Sequence, residues 1–183
     1  MEEHLEVDIL IVGAGPAGLS CAIKLAQLTK GNLQIAVLEK ASQIGGHIIS
    51  GAVFDPCSLT ELIPDWHNKS LPVETKVNDD IFCWLSKKHS FRLPVPPSLQ
   101  NDGNYIISLS QLCQSLGQIA EEHGVQLYPG FSGHELITKG DRLIGVRTGA
   151  VGLDKDGKPT SQYQPGLPIY AKQTVFAEGS HGS

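Results

Sequence analysis

Val7-Asp-Ile-Leu-Ile-Val-Gly-Ala-Gly-Pro-Ala-Gly18 is the stretch whose reading decides the rest. An apolar run, Ile9 to Val12, ends in Gly13-x-Gly15-x-x-Gly18, and a helical pattern follows at once. That is the strand, tight turn and helix start that suit a nucleotide pyrophosphate. Gly13 lets the chain turn sharply off the strand, and Gly15 has no Cβ to hold phosphates away. Gly18 lets the new helix pack close to the sheet. The N–H groups of the first helical turn, with the helix dipole behind them, then face the anion.

Short glycine patterns are common, so the context matters. Pro16 stands next to Ala17 at the helix start, where a missing N–H costs nothing. Leu19, Ala22, Ile23 and Ala26 repeat at helical spacing, and Gly31-Asn32 supplies a stop. A second apolar run, Leu33 to Leu38, ends in Glu39, about 20 residues past the last glycine. A carboxylate there accepts hydrogen bonds from both ribose hydroxyls of an adenosine and repels a 2′-phosphate, which argues against NADP. Glu39-Lys40 is followed by Gly45-Gly46-His47 and then by Ser50-Gly51. An acidic strand end and then a Gly-Gly pair read as a loop folding back over the dinucleotide, a pattern that favours FAD over NAD. Ser50-Gly51 would lie further along, toward the flavin ring.

A chain of 183 residues suits one domain, or one and a fraction. Its 40% apolar and 18% charged residues describe an ordinary globular protein with a real core. A net charge of −5 leaves no basic field for nucleic acid. Cys21, Cys57, Cys83 and Cys113 are scattered with no C-x-x-C pair, so this chain alone is not expected to build a zinc or cluster site. Cys21 and Cys113 read as packing residues within helical patterns, and free thiols imply a reducing compartment. The N-terminal Met-Glu-Glu-His-Leu-Glu resembles neither a secretory signal nor a transit peptide, so no targeting segment is visible. No apolar run approaches the ~20 residues of a membrane span, which leaves peripheral membrane contact open.

Along the chain, periodicity breaks up between about 56 and 100, where six prolines fall. Asp80–Leu85 and His89–Leu93 read as a hairpin about Ser86-Lys87-Lys88. The whole stretch reads as an excursion toward a substrate-side or quinone-side sheet. Trp66 and Trp84 read as core or interface residues. Ser108-x-x-Gln111 then opens a helix whose stripe is Leu109, Leu112, Leu116, Ile119 and Ala120, and Val125–Tyr128 follows as a third strand. Two hairpin signals follow, about Lys139-Gly140-Asp141 and about Lys155–Lys158. Lys172–Ala177 is a last strand, and Glu178-Gly179 reads as another loop over the cofactor. His181 reads as a loop histidine. The fold class expected is α/β: a Rossmann-like, glutathione-reductase-like domain with a parallel sheet, helices and an antiparallel β-meander, spanning 1–183.

Three separated stretches agree with one family. I-V-G-A-G-P-A-G-L-S, L-E-K-A-S-Q-I-G-G-H-I-I-S-G-A-V-F-D-P and T-V-F-A-E-G-S-H-G-S resemble electron transfer flavoprotein–ubiquinone oxidoreductases. The second is the specific one, because His47 with Ser50-Gly51-Ala52 and Asp55-Pro56 goes beyond general FAD signatures. G-N-Y-I-I-S-L and V-G-L-D-K-D-G-K-P extend the resemblance over nearly the whole chain.

The resemblance implies an FAD domain, a ubiquinone-binding domain and a separate domain with a 4Fe-4S cluster. The family enzyme takes electrons from electron transfer flavoprotein, delivers them to ubiquinone and lies peripherally on the inner membrane, bacterial (cytoplasmic face) or mitochondrial. This chain resembles only the N-terminal, FAD-binding portion. No catalytic side chain is expected. Gly13, Gly15, Pro16, Ala17, Gly18, Glu39, Lys40, Gly45, Gly46, His47, Ser50, Gly51, Glu178 and Gly179 are the expected cofactor contacts. The competing readings are a geranylgeranyl-reductase-like or monooxygenase-like flavoprotein, and an inactive FAD-binding fragment.

Overall fold

Leu5–Val12 forms strand β1, and its apolar run is buried where it reaches the glycine turn. The computed structural model describes residues 3–49, 51–73, 75–153, 158–180 and 182. Helix α1 (Pro16–Thr29) has Pro16 in its first turn and Gly15 at its cap, with no side chain capping it. It buries Leu19, Ala22, Ile23 and Ala26, the stripe set by the 3.6-residue period. The helix stops one residue earlier than Gly31, because Lys30 itself takes the left-handed conformation (φ 52°) and its N–H bonds the Ala26 carbonyl. Strand β2 (Ile35–Glu39) then runs parallel to β1.

The chain divides into two units, one of residues 1–48 with 113–183 and one of residues 49–112. The second begins with β3 (Ala52–Phe54), helix α2 (Cys57–Leu62) and β4 (Thr75–Lys76). Asp55 accepts the Cys57 N–H at 2.8 Å, which fixes the entry to α2. A hairpin of β5 (Phe82–Leu85) and β6 (Ser90–Leu93) follows, with the turn where the sequence places it. Strand β7 (Tyr105–Ile107) lies between β3 and β4 in a three-stranded antiparallel sheet. Trp66 is buried there, donating through Nε1 to Thr60 and meeting Tyr105 edge-on. Trp84 differs from the core reading: it is 67% exposed on β5, since β5 and β6 pair only with each other.

Helix α3 (Leu109–Glu122) starts where Ser108 Oγ accepts the Gln111 N–H at 3.4 Å, and it leads back into the first unit. Leu112, Cys113, Leu116, Ile119 and Ala120 are buried. Gly117 lets α3 approach Leu127 and Ile44, which lie 3.4–3.5 Å from where its Cβ would sit. Strand β8 (Gln126–Pro129) pairs parallel with β2. The ribbon β9 (Gly133–Lys139) and β10 (Arg142–Thr148) follows, then a separate pair, β11 (Val151–Leu153) with β12 (Pro159–Gln164). The turn of that second pair lies outside the described residues. Last comes β13 (Pro168–Phe176), longer than the six residues read from the sequence.

The main sheet has the order β8-β2-β1-β13-β10-β9, parallel through β13 and antiparallel beyond it. β13 joins the two modes: Pro168, Ile169 and Tyr170 pair antiparallel with β10, while Ile169–Phe176 pair parallel with β1. The β9–β10 ribbon is thus continuous with the nucleotide-type sheet, whereas β11–β12 forms a sheet of its own. Leu10, Val12, Ala36 and Leu38 pack with Val146 and Ile169, and Tyr128 and Phe131 join that core. Gly133 lies against Val12 and Val146, where a Cβ would come within 2.9 Å and 3.3 Å of their methyls.

Candidate dinucleotide-binding site

The site lies at the carboxyl ends of the parallel strands β1, β2 and β13, where open α/β sheets bind ligands. The Gly13 N–H bonds the Leu38 carbonyl at 2.8 Å, tying the turn to the neighbouring strand as it leaves β1. Gly13 has φ 106°, which an L side chain adopts only with strain, and a Cβ there would run into the Ala177 carbonyl. A Cβ on Gly18 would strike the Gly13 carbonyl oxygen, so only glycine lets α1 come this close to its own turn. Gly15 differs: a Cβ there would meet nothing within 4 Å. Two of the three glycines are demanded by the fold, and the third leaves space open above the first turn of α1.

Glu39 ends β2 half-buried, with both carboxylate oxygens engaged. Oε2 accepts the Ala14 N–H at 3.0 Å and Oε1 accepts the Ala41 N–H at 2.8 Å. One side chain thus bridges the middle of the glycine turn and the start of the following loop. Each oxygen keeps a further lone pair for an outside donor such as a ribose hydroxyl. The end of β8 reinforces the arrangement, because Phe131 N–H bonds the Glu39 carbonyl and Gly130 N–H bonds the Ala41 carbonyl (2.9 and 2.7 Å).

Past Ala41 the chain makes turns in which Gly45 is buried with φ 78°, and Gly46 N–H bonds the Gln43 carbonyl at 3.1 Å. A Cβ on Gly46 would lie 3.3 Å from the Ala41 methyl, so this Gly-Gly pair is built against the loop that Glu39 holds. Lys40 and His47 are exposed. On the other side, Ala177 N–H bonds the Val12 carbonyl at 2.8 Å, which brings Glu178 and Gly179 (φ 80°) to the glycine turn. Cys113 on α3 is fully buried, and its thiol is pushed up to about 11 by burial and by the Glu39 charge.

The structure therefore brings together Gly13, Gly15, Pro16, Ala17, Gly18, Glu39, Lys40, Gly45, Gly46, Glu178 and Gly179, with His47 at the end of the same loop. Gly51 (φ 89°) falls in the second unit, and Ser50 and His181 lie outside the described residues. The amides of Ala14 and Ala41 were not foreseen as the groups that position Glu39. Their signal was present as the residue inside the first Gly-x-Gly and the residue two past the acid. Among the described residues no three His, Cys, Asp or Glu side chains gather as metal ligands, and no helix is long and apolar enough to cross a membrane.

Sheet order, glycine turn and acidic strand end together define a Rossmann-like dinucleotide-binding domain. The family described as NAD(P)-binding Rossmann-like domain matches residues 11–71. Solved structures show the same fold. A geranylgeranyl bacteriochlorophyll reductase-like protein from Thermoplasma acidophilum has a TM-score of 0.66 at 18% identity, over 97% of this chain and 40% of that one. THI4 of Thermovibrio ammonificans has a TM-score of 0.61 at 18% identity, over 97% of this chain and 59% of that one.

The sequence relatives are more particular. The chain is 48% identical to the mitochondrial electron transfer flavoprotein-ubiquinone oxidoreductase of Arabidopsis thaliana, over 100% of this chain and 29% of that protein. It is 46% identical to the oxidoreductase of that name from Pseudomonas aeruginosa (98% and 34% covered). With the human mitochondrial protein the identity is 44% (97% and 30% covered). The resemblance to electron transfer flavoprotein–ubiquinone oxidoreductases holds over the whole chain, which spans about a third or less of these relatives' length.

Proposed function

We propose that the chain is the FAD-binding portion of an electron-transferring-flavoprotein dehydrogenase, passing electrons from reduced electron transfer flavoprotein to ubiquinone. The observation that carries this reading is the Glu39 carboxylate fixed beside the glycine turn by Ala14 and Ala41. It occurs in a chain 44–48% identical along its length to relatives of that name.

The site fits an adenine dinucleotide because Gly13 and Gly18 have no room for a Cβ while Gly15 opens onto free space. Gly13, Gly15, Pro16, Ala17 and Gly18 would hold the pyrophosphate against the first turn of α1, and Glu39 the ribose. Lys40, Gly45, Gly46 and His47 would cover the dinucleotide. Glu178 and Gly179 would reach the pyrophosphate or ribityl chain. The bound flavin supplies the electron chemistry, and the protein sets its position and potential. No side chain is assigned a proton-transfer or nucleophilic role. A 4Fe-4S cluster is assigned to the remainder of the longer relatives, not to Cys21, Cys57, Cys83 or Cys113.

Electron transfer flavoprotein and ubiquinone are the partners this reading gives the longer protein. Its site of work is the surface of a bacterial or mitochondrial inner membrane, met peripherally. Within this chain Trp84 and Phe91, which pair across the β5–β6 hairpin and are both exposed, support that placement.

The test is reconstitution of the chain with FAD, followed by its absorption spectrum. A protein-bound flavin band near ~450 nm is expected, and its absence after reconstitution overturns the binding assignment. Rapid consumption of NAD(P)H and oxygen by the loaded protein would instead favour the monooxygenase-like reading.

A further inference from the structure

Residues 81–100 leave the second unit and return to it as an arm. None of them is buried, and β5 and β6 pair only with each other. A two-stranded pair of that kind is marginally stable in water when it stands by itself. Its tip is closed locally: Ser86 N–H and Oγ–H donate to the His89 carbonyl at 2.8 and 3.0 Å, and His89 N–H donates to Ser86 Oγ at 3.0 Å.

The root of the arm is held by polar groups. The β4–β7 pairing runs out at Val77, whose N–H bonds the Asn104 carbonyl at 2.9 Å. The returning limb is poor in ladder donors, because Pro94, Pro96 and Pro97 have no N–H to give. A side chain takes over. Asp80 Oδ2 accepts the Asn101 backbone N–H at 2.8 Å, and Oδ1 accepts Asn101 Nδ2 at 2.9 Å, a two-pronged grip across the mouth of the arm. Asn101 is fixed from the sheet side in turn, since its carbonyl accepts the Asn104 N–H at 3.0 Å about a bend where Gly103 takes φ 85°. The two Asn101 bonds hold the Asp80 carboxyl below its ordinary value, so it is ionised at neutral pH. Asp80 and Asn101 are half-buried, whereas the neighbouring Asp79–Arg92 ion pair (3.0 Å) is exposed on both sides.

We propose that Asp80 and Asn101 form a latch that holds the β5–β6 arm on the three-stranded sheet, and that opening it releases residues 81–100 as one piece while the sheet stays folded. Trp84 and Phe91 travel with that piece. The latch therefore sets which way this exposed aromatic pair faces relative to the sheet.

Hydrogen exchange of the chain without added FAD, read peptide by peptide, tests the latch. Both prongs end on a charged group, so D80A should speed exchange across residues 81–100 by about tenfold or more, with β3, α2 and β7 unchanged. N101A keeps the backbone donor and loses the side-chain one, so a rise of about fivefold is expected over the same residues. D79A removes an exposed ion pair only, and its effect should be about twofold or less. Exchange across residues 81–100 no faster in D80A or N101A than in D79A would overturn the latch. Equal acceleration of α2 and β7 in either variant, or loss of the native circular dichroism in D80A, would overturn it too, because Asp80 would then serve the folding of the whole unit.

Discussion

At Gly15 and Gly18 one added methyl has opposite consequences. Gly18→Ala drives a Cβ into the Gly13 carbonyl, and overpacking of that kind costs about 1–3 kcal/mol. Gly15→Ala adds its methyl to open space, at a backbone angle (φ −78°) any residue adopts. Its unfolding free energy should stay within about 1 kcal/mol of wild type, while on the proposed assignment FAD affinity falls, since the methyl would stand where the phosphates are placed. Denaturant melts and FAD titrations of the two variants separate these effects. Glu39 combines both roles. Glu39→Ala strands the Ala14 and Ala41 amides, with an expected loss of about 2 kcal/mol in stability and at least a tenfold loss in FAD affinity. Equal affinity in wild type and Glu39→Ala would remove Glu39 from the ribose. The acidic end of β2 was legible in the spacing. What holds it was not, because backbone amides carry no residue-type signature.

Among the elements, those with a strong local pattern were the readable ones. α1, α3 and the β9–β10 ribbon follow from periodicity and turn residues, and β2 and β8 from their apolar runs, although β8 pairs with the distant β2. β3 and β4 did not stand out, because three- and two-residue strands become strands only by pairing with β7, decades of residues away. The full length of β13 escaped for the same reason, as its first residues are ordered by β10. Between β1, β2 and β13 sits a polar pin: Asp8 accepts Lys172 Nζ at 2.6 Å and the Gln34 N–H at 2.8 Å. These partners, Lys172 first, hold the Asp8 carboxyl below its ordinary value. A carboxylate lowered by folding contributes stability that is complete above its unfolded pKa, about 3.9, and lost as pH falls through the folded value. Wild type should therefore exceed Asp8→Asn in stability by a constant margin from pH 7 to about pH 5, narrowing below pH 4. Urea melts across that range measure it, and a margin that widens in acid would contradict the pin.

For the molecule as a whole, the four thiols act as reporters. Cys57 is exposed, whereas Cys113 is fully buried with its thiol pushed up to about 11, first by burial and then by Glu39. A thiol reagent at pH 8 should modify Cys57 at once and Cys113 only as the first unit opens, so Cys113 labelling measures that opening. Prompt labelling of both would mean that α3 is not packed as described. The first unit is also discontinuous, with residues 49–112 interposed between its segments. Its central strand has Leu5 beside Ile169 and Val12 beside Phe176. On a ribosome, β1 and β2 emerge early, yet β1 stays without its second neighbour until β13 has been made, an interval of roughly ten to thirty seconds at ordinary elongation rates. Throughout that wait a bare apolar ribbon edge is offered to solvent, and chaperone demand during biogenesis should scale with the time spent translating the interposed segment.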